Sequence, residues 1–92
     1  NLNNHTALTL CAQIGQTDLA IELLNKGAHP NHQCLGGGTA LCFAIQNNDR
    51  RLVSALREYK ADYTLFVESL GRPIYTMPMS EELRQFIPYR LP

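Results

Sequence analysis

A 33-residue period is the feature of this sequence that most limits what the chain can fold into. The tripeptide Thr6-Ala7-Leu8 returns as Thr39-Ala40-Leu41, and the same offset aligns helix and loop positions over two full periods. A period of roughly 20 to 50 residues is typical of repeat proteins, in which one small unit stacks on the next. We therefore expect stacked layers rather than one globular core. The further aligned pairs are Ala12 with Ile45, Leu19 with Leu52, Leu23 with Leu56, and Ala28 with Ala61.

Each period is predicted to contain two short helices joined by a turn. Thr6 and Thr39 are suited to begin the first helix, because a threonine hydroxyl accepts hydrogen bonds from the unpaired N–H groups there. Gly15 should end that helix, and Thr17 or Asp18 should cap the second. Gly27 stands where a helix commonly ends in left-handed backbone. The expected apolar faces are Leu8, Cys11 and Ala12, then Leu19, Ala20, Leu23 and Leu24 in period one, and Leu41, Ala44 and Ile45, then Leu52, Val53 and Leu56 in period two.

The third period is incomplete. Arg72, Pro73 and Ile74 fall where a third first helix would begin, but Pro78 would stop it. Ser80 can cap a last helix that extends through about residue 87, since acidic residues follow it in the first turn. We expect this segment to cover the apolar face that the second period would otherwise expose.

The residues at these positions resemble those of ankyrin repeats. Residues 6–12, Thr-Ala-Leu-Thr-Leu-Cys-Ala, are similar to that family's Thr-Pro-Leu-His-x-Ala-Ala, and residues 27–31 are similar to its Gly-Ala-Asp-x-Asn. The resemblance implies an all-α solenoid of helix-turn-helix units joined by hairpin loops. It divides a single domain, residues 1–92, into repeat one at 1–33, repeat two at 34–66 and a degenerate capping repeat at 67–92. Because the chain begins inside a repeat, we expect it to be a segment of a longer protein.

Departures from the family pattern predict a less regular array, among them Thr9 and Cys42 in place of the family's histidine. Ala7 and Ala40 replace a proline that favours the first helical turn. Lys60 stands where Gly27 stood, and a side chain in left-handed backbone costs about 1 to 2 kcal/mol. Arg57 replaces the second leucine of a Leu-Leu pair.

Charge and cysteine content limit the class of partner that the chain can bind and the cellular compartment that suits it. Eight Lys plus Arg balance eight Asp plus Glu, so the chain has no basic excess for nucleic acid. No apolar run approaches the roughly 18 residues of a membrane-spanning helix. An odd cysteine count without framework spacing favours reduced thiols and an intracellular, most simply cytoplasmic, protein. The three cysteines are Cys11, Cys34 and Cys42.

A metal or thiol site is the alternative that the sequence raises on one loop. His29, His32 and Cys34 lie within six residues, and His5 in the neighbouring turn is the fourth candidate ligand. Zinc sites usually contain two pairs of Cys or His ligands with a longer stretch of sequence between the pairs, and this sequence has no second pair. A catalytic thiol would need Cys34 beside His5 or His32. We expect no metal, no cofactor and no catalytic residue in this segment.

Asn31 is a candidate for hydroxylation, by resemblance to the hairpin asparagine that ankyrin proteins often present to an asparaginyl hydroxylase. Leu23 lies eight residues before it, as such sites commonly have, whereas Pro30 departs from the usual pattern. The alternative is that the Asn31 amide bridges the backbones of neighbouring hairpins.

Protein binding is the function that the resemblance implies, through hairpin tips and the concave face of the first helices. Apolar and amide residues at those positions predict an interface with weak salt dependence. The alternative is a substrate-recruiting arm of a multidomain enzyme or effector whose catalytic domain lies outside these residues. The candidate partner-binding residues are Leu2, Asn3, His5, Gln13, Ile14, Leu35, Gly36, Gly38, Gln46 and Asn47, with Val67, Glu68 and Ser69 in the cap.

Overall fold

A computed structural model describes residues 5–88 of the chain. Two helix pairs come first, and a short β-hairpin and further helical turns follow them. None of the helices in this range is long and apolar enough to cross a membrane. The elements are α1 (Ala7–Ile14), α2 (Thr17–Asn25), α3 (Ala40–Gln46), α4 (Arg50–Glu58), β1 (Phe66–Val67), β2 (Arg72–Pro73), a 3₁₀ turn (Ile74–Thr76) and α5 (Glu81–Arg84).

The two first helices begin at the predicted threonines but are capped differently. Thr6 Oγ1 accepts from Thr9 N at 3.2 Å, and Thr9 Oγ1 accepts from Thr6 N at 2.8 Å, so two end groups are satisfied reciprocally. Thr39 precedes α3 but its side chain accepts no backbone hydrogen bond; its hydroxyl lies 3.8 Å from Cys42 Sγ. The hydroxyl prediction is confirmed for Thr6 and wrong for Thr39. Cys42 stands at the position of Thr9 and has no hydroxyl to complete the pair.

The second helices correct another capping prediction. Thr17 and Asp18 do not cap α2 but lie inside it, and Gln16 precedes the helix without a side-chain cap. The Thr17 hydroxyl instead donates to the carboxylate of Asp49, which caps α4 by accepting from Leu52 N at 3.2 Å. The side chain thus joins two layers rather than closing its own helix.

Left-handed backbone follows each second helix, as predicted. Gly27 has φ +97° and Lys60 has φ +65°. Glycine adopts this conformation without steric cost, whereas the Cβ of Lys60 is crowded there. The same backbone conformation therefore recurs in both repeats, but in the second repeat it carries the steric cost of a side chain.

The core lies between the layers, where α1 packs on α3 and α2 on α4. Leu8, Leu24, Leu41 and Leu56 are fully buried, in agreement with the predicted faces. Leu19 is an exception, because its side chain is 46% exposed while its counterpart Leu52 is 0% exposed. Leu52 has repeat one beside it; the described residues place no further layer on the Leu19 side.

The third unit closes the other end of the core. β1 and β2 pair antiparallel, with Phe66 opposite Pro73. The α-helix after Ser80 ends at Arg84, three residues earlier than predicted, although Ile87 N still donates to Leu83 O at 3.1 Å. Leu83 and Ile87 are completely buried in the common core.

Two arginines tie this unit together through backbone carbonyls. Arg84 donates to Tyr75 O at 2.6 Å, to Met77 O at 2.9 Å and to Ile87 O at 3.4 Å. Arg57 of α4 donates to Phe86 O at 3.1 Å. The arginine that replaces a leucine in the second repeat thus fastens the cap to the repeat.

Candidate functional site

A cavity of about 290 Å³ opens on the concave side of the stack. Its walls come from α1, α3, the loop at 34–38 and the β-hairpin at 66–73, so all three units contribute to it. We call it the concave cavity. Its lining residues are His5, Gln13, Cys34, Leu35, Gly38, Cys42, Phe43, Gln46, Val67, Ser69 and Leu70.

Five of the ten binding residues predicted in the two repeats meet at the concave cavity. They come from regions that are far apart in sequence, and the stacking of α1 on α3 brings them together. Leu2 and Asn3 lie outside the described residues. Of the three positions expected in the cap, Val67 and Ser69 line the cavity and Glu68 does not. The five are His5, Gln13, Leu35, Gly38 and Gln46.

Asn47 does not line the cavity. Its Nδ2 donates to Ala12 O at 2.8 Å and to Gln13 O at 3.3 Å. Those carbonyls belong to the last turn of α1, which has unpaired acceptors. The side chain therefore fastens repeat two to repeat one. Ile14, the equivalent residue of repeat one, is also absent from the cavity lining and is 69% exposed.

Gly36 and its neighbour Gly37 bring the second loop against the third unit. Both have positive φ, at +92° and +89°, and Gly36 O accepts from Ser69 N at 2.9 Å. A Cβ on Gly37 would lie 2.8 Å from Glu68 N, a separation that would force the backbone to move. The bare backbone that the sequence offered to a partner is used within the chain, where it holds the loop at 34–38, which is one wall of the cavity, against the β-hairpin.

Gln33 supports the same wall. Its Nε2 donates to Phe66 O at 2.9 Å and to Gly37 O at 3.0 Å. The two hairpin regions are thus joined by both backbone and side-chain hydrogen bonds.

Sequence reasoning missed four lining residues. Cys34, Cys42 and Phe43 fell outside the positions expected to bind, and Leu70 lies in a turn that only the fold places above α3. The ring of Phe43 lies 5.7 Å from that of His5, centroid to centroid, so the lining contains a pair of neighbouring aromatic rings. An apolar residue just before the turn glycine Gly71 was the available signal for Leu70.

The cavity is electrically neutral, because none of its lining residues is Asp, Glu, Lys or Arg. Burial raises the pKa of the Cys42 thiol, although hydrogen bonding at Thr39 opposes the shift. That thiol is protonated at neutral pH and is a poor nucleophile. His5 Nδ1 lies 3.0 Å from Thr9 Oγ1. Over residues 5–88, no three His, Cys, Asp or Glu side chains converge in a way that could hold a metal ion.

A second hollow of about 450 Å³ lies near Asn31. Its polar groups are engaged with one another: Asn31 Oδ1 accepts from Asp62 N at 2.6 Å, and Arg57 lies 4.6 Å above the ring of Tyr63. Hydrogen bonds from Thr64 lower the pKa of Asp62. The Asn31 amide therefore makes the bridge between neighbouring loops that was the alternative to hydroxylation, and its modification stays a prediction.

Comparison with known proteins agrees with this arrangement. A family model for ankyrin repeats, described as three copies, matches residues 1–66. The inactive serine/threonine-protein kinase TEX14 of Bos taurus is 33% identical over 73 residues, which are 79% of this chain and 5% of that relative. This chain thus spans a small part of that protein's length. The match over both helix pairs, together with their stacking, shows that the chain belongs to the ankyrin-repeat family and folds as an all-α ankyrin solenoid.

Proposed function

We propose that this chain is a protein-binding module without catalysis and that its partner protein binds at the concave cavity. Ankyrin repeats as a class mediate protein–protein interaction, which supports the coarse assignment. The observation that carries the site is the meeting of all three units around one neutral cavity with an apolar rim. Leu35 is 73% exposed and Leu70 is 37% exposed at that rim.

The rim can supply useful binding free energy. Fully burying a leucine side chain is worth about 1.5 to 3 kcal/mol, so covering Leu35 alone is a substantial gain. The cost of desolvating formal charges is avoided, because none of the lining residues is Asp, Glu, Lys or Arg. Contacts of this kind depend weakly on ionic strength.

A display selection tests the proposal. Fragments of expressed proteins are selected on the immobilised chain and then measured against Leu35→Glu and Leu19→Glu. Both substitutions place a carboxylate at an exposed leucine, but only Leu35 lines the cavity. We expect Leu35→Glu to weaken binding at least tenfold and Leu19→Glu to leave it unchanged, with both variants folded by circular dichroism. Fragments that bind both variants equally well would refute the site.

A second candidate is a recruiting arm of an enzyme or effector. The bovine relative is named as an inactive serine/threonine-protein kinase, and this chain matches 5% of its length. Under this proposal the same cavity binds a substrate of a catalytic domain elsewhere in a longer protein. Identification of catalytic motifs in flanking coding sequence would support it; a flank that contains only further repeats would count against it.

We also infer an intracellular, cytoplasmic location and a protein rather than a nucleic-acid partner. Cys11, Cys34 and Cys42 are unpaired and buried, which suits a reducing compartment. The balanced charge and neutral cavity offer no clustered cations for phosphates.

A further inference from the structure

A further hollow of about 400 Å³ lies beside the concave cavity and differs from it in charge. Cys34 and Leu35 line both, so the two depressions share part of one wall. We call the further one the hairpin hollow. A ligand segment that covers Leu35, which is 73% exposed, is in position to contact both depressions. The other residues that line the hairpin hollow are Gln33, Gly36, Gly37, Phe66 and Glu68.

The side chains of the hairpin hollow offer hydrogen-bond acceptors and no cation. The Glu68 carboxylate forms no ion pair or hydrogen bond with any residue of the described range 5–88. Gln33 Nε2 donates to Phe66 O at 2.9 Å and to Gly37 O at 3.0 Å. Because both partners are carbonyl oxygens, the nitrogen end of the amide faces them and Gln33 Oε1 is left as an acceptor. None of the lining residues is Lys, Arg or His, so no positive charge in the lining balances Glu68.

The Phe66 ring is the second feature that attracts a positive charge. Phe66 is 54% exposed and lines the same hollow as Glu68. The electron-rich face of an aromatic ring attracts a cation within about 6 Å of its centre, and the attraction grows when water is displaced. A carboxylate and an exposed ring thus favour the same kind of ligand for different physical reasons.

Contacts within the chain hold both walls of the hairpin hollow. Ser69 N, next to Glu68, donates to Gly36 O at 2.9 Å. A Cβ built on Gly37 would lie 2.8 Å from Glu68 N, so the loop and the β-hairpin meet closely. A site whose walls are held in this way loses less binding free energy to ordering.

Apolar groups alone would be an unfavourable cover for this hollow. They would remove water from the Glu68 carboxylate without replacing it, and a desolvated charge without a partner is costly. An arginine side chain avoids this cost, because its guanidinium has five N–H donors for the Glu68 carboxylate and Gln33 Oε1. Its planar face also stacks on aromatic rings, whereas lysine supplies the charge without such a face.

We propose that the hairpin hollow binds an arginine side chain of the partner protein. The guanidinium packs on the Phe66 ring and donates to the Glu68 carboxylate, and a neighbouring apolar residue of the same segment enters the concave cavity across Leu35. The inference rests on the proposed function, because it adds a second contact for the same partner. This contact is the salt-dependent part of binding.

The test selects ligands from a phage-displayed library of random linear dodecapeptides on the chain of residues 1–92. We expect enriched peptides to contain an arginine near an apolar residue, and we expect selection on Glu68→Gln to remove the preference for arginine. Enrichment without arginine, or the same arginine preference on Glu68→Gln, overturns the inference.

A blocked synthetic peptide of the enriched sequence is then titrated against matched variants, each checked for folding by circular dichroism. Glu68→Gln and Phe66→Leu should each weaken binding about fivefold, the upper range for an exposed ion pair or cation–π contact. Glu58→Gln neutralises an exposed carboxylate outside the hollow and should leave affinity unchanged. Equal losses in Glu58→Gln and Glu68→Gln would indicate a general charge effect and overturn the assignment.

A double-mutant cycle addresses the contact itself. Replacing the arginine of the peptide by citrulline keeps the shape of the side chain and removes its charge. Citrulline and Glu68→Gln should be less than additive. Added salt should weaken the arginine peptide more on the unmodified chain than on Glu68→Gln. Full additivity with equal salt dependence overturns the inference.

The two proposals fail differently, because Leu70 lines the concave cavity but not the hairpin hollow. Ligands that lose affinity with Leu70→Glu but not with Glu68→Gln or Phe66→Leu refute the arginine inference and leave the proposed function standing. Ligands that depend on Glu68 but are indifferent to Leu70→Glu support the arginine contact and refute the concave cavity as the partner site.

Discussion

The two ends of the stack differ in how their apolar faces are covered. At the C-terminal end, Leu83 and Ile87 of the third unit are buried in the common core. On the outer side of repeat one, Leu19 is 46% exposed, although Leu52 at the same repeat position is 0% exposed. The same residue type in the same helical position thus has different burial in the two repeats. Burial in this architecture depends on the neighbouring layer and not on the repeat itself.

Truncating the two leucines is expected to give the largest contrast. Leu52→Ala leaves a cavity between α2 and α4 and should lower the free energy of unfolding by about 2 to 5 kcal/mol. Leu19→Ala removes a side chain that solvent already reaches and should cost under about 1 kcal/mol. Urea denaturation measures both. Equal losses for the two variants would show that layer coverage does not explain the difference in burial.

The hydrogen-bonded arginine of the cap should give the next largest effect. Arg84→Leu removes a cation that donates to three carbonyls and should cost about 1.5 to 3 kcal/mol, the range for hydrogen bonds to charged groups. Arg51→Leu is the matched control, because Arg51 forms an exposed ion pair with Asp18. Such pairs contribute about 0 to 1 kcal/mol. Thermal unfolding measures both losses. A larger loss of stability in Arg51→Leu than in Arg84→Leu would contradict the role of Arg84 in holding the cap together.

Substitutions at the equivalent positions Asn47 and Ile14 compare a side chain that contacts the neighbouring repeat with one that is exposed to solvent. Asn47→Ala removes the two donations to the end of α1 and should cost about 1 kcal/mol. Ile14→Ala changes a side chain that is 69% exposed and should alter stability by less than about 0.5 kcal/mol. We expect faster amide hydrogen exchange at the end of α1 in Asn47→Ala but not in Ile14→Ala, which would show that the stability loss arises at this contact. Unchanged exchange there would mean that Asn47 does not fasten the layers.

The smallest expected change is a gain in the second repeat. Lys60 has φ +65°, so Lys60→Gly should relieve crowding and stabilise the chain by about 0.5 to 1 kcal/mol, after the added flexibility of the unfolded chain is counted. Gly27→Ala at the equivalent site should destabilise by a similar amount. Guanidinium denaturation measures the change in the free energy of unfolding for both variants. A loss of stability in Lys60→Gly would assign a favourable contact to the lysine side chain.

Local signals explain what could be predicted of the fold. The period, the glycine at the end of α2 and the threonine at the start of α1 depend on spacing and on nearby backbone chemistry, which the sequence displays directly. The errors at Thr39 and Thr17 arose because those hydroxyls have other partners: Thr39 donates to Cys42 Sγ in the same turn, and Thr17 donates to the Asp49 carboxylate in the next layer. A capping preference does not determine which acceptor a side chain will choose.

The candidate site was predictable in part for the same reason. His5, Gln13, Leu35, Gly38 and Gln46 were identified from their repeat positions and meet at the cavity. Asn47 and Gly36 were expected to face a partner but are engaged by α1 and by Ser69. Both contacts join residues more than 30 positions apart, and spacing within one repeat contains no information about them.

The sequence by itself determined the layered architecture, because a 33-residue period of apolar residues can be buried only by stacking equivalent units. It also determined that the helical walls of the concave cavity carry no formal charge, since α1 and α3 contain no Asp, Glu, Lys or Arg. The tertiary structure alone decided which leucines are covered by a neighbouring layer, which loop glycines contact the next hairpin and where a cavity remains. These properties depend on the distance between surfaces from different units, and that distance is set by packing across the layers.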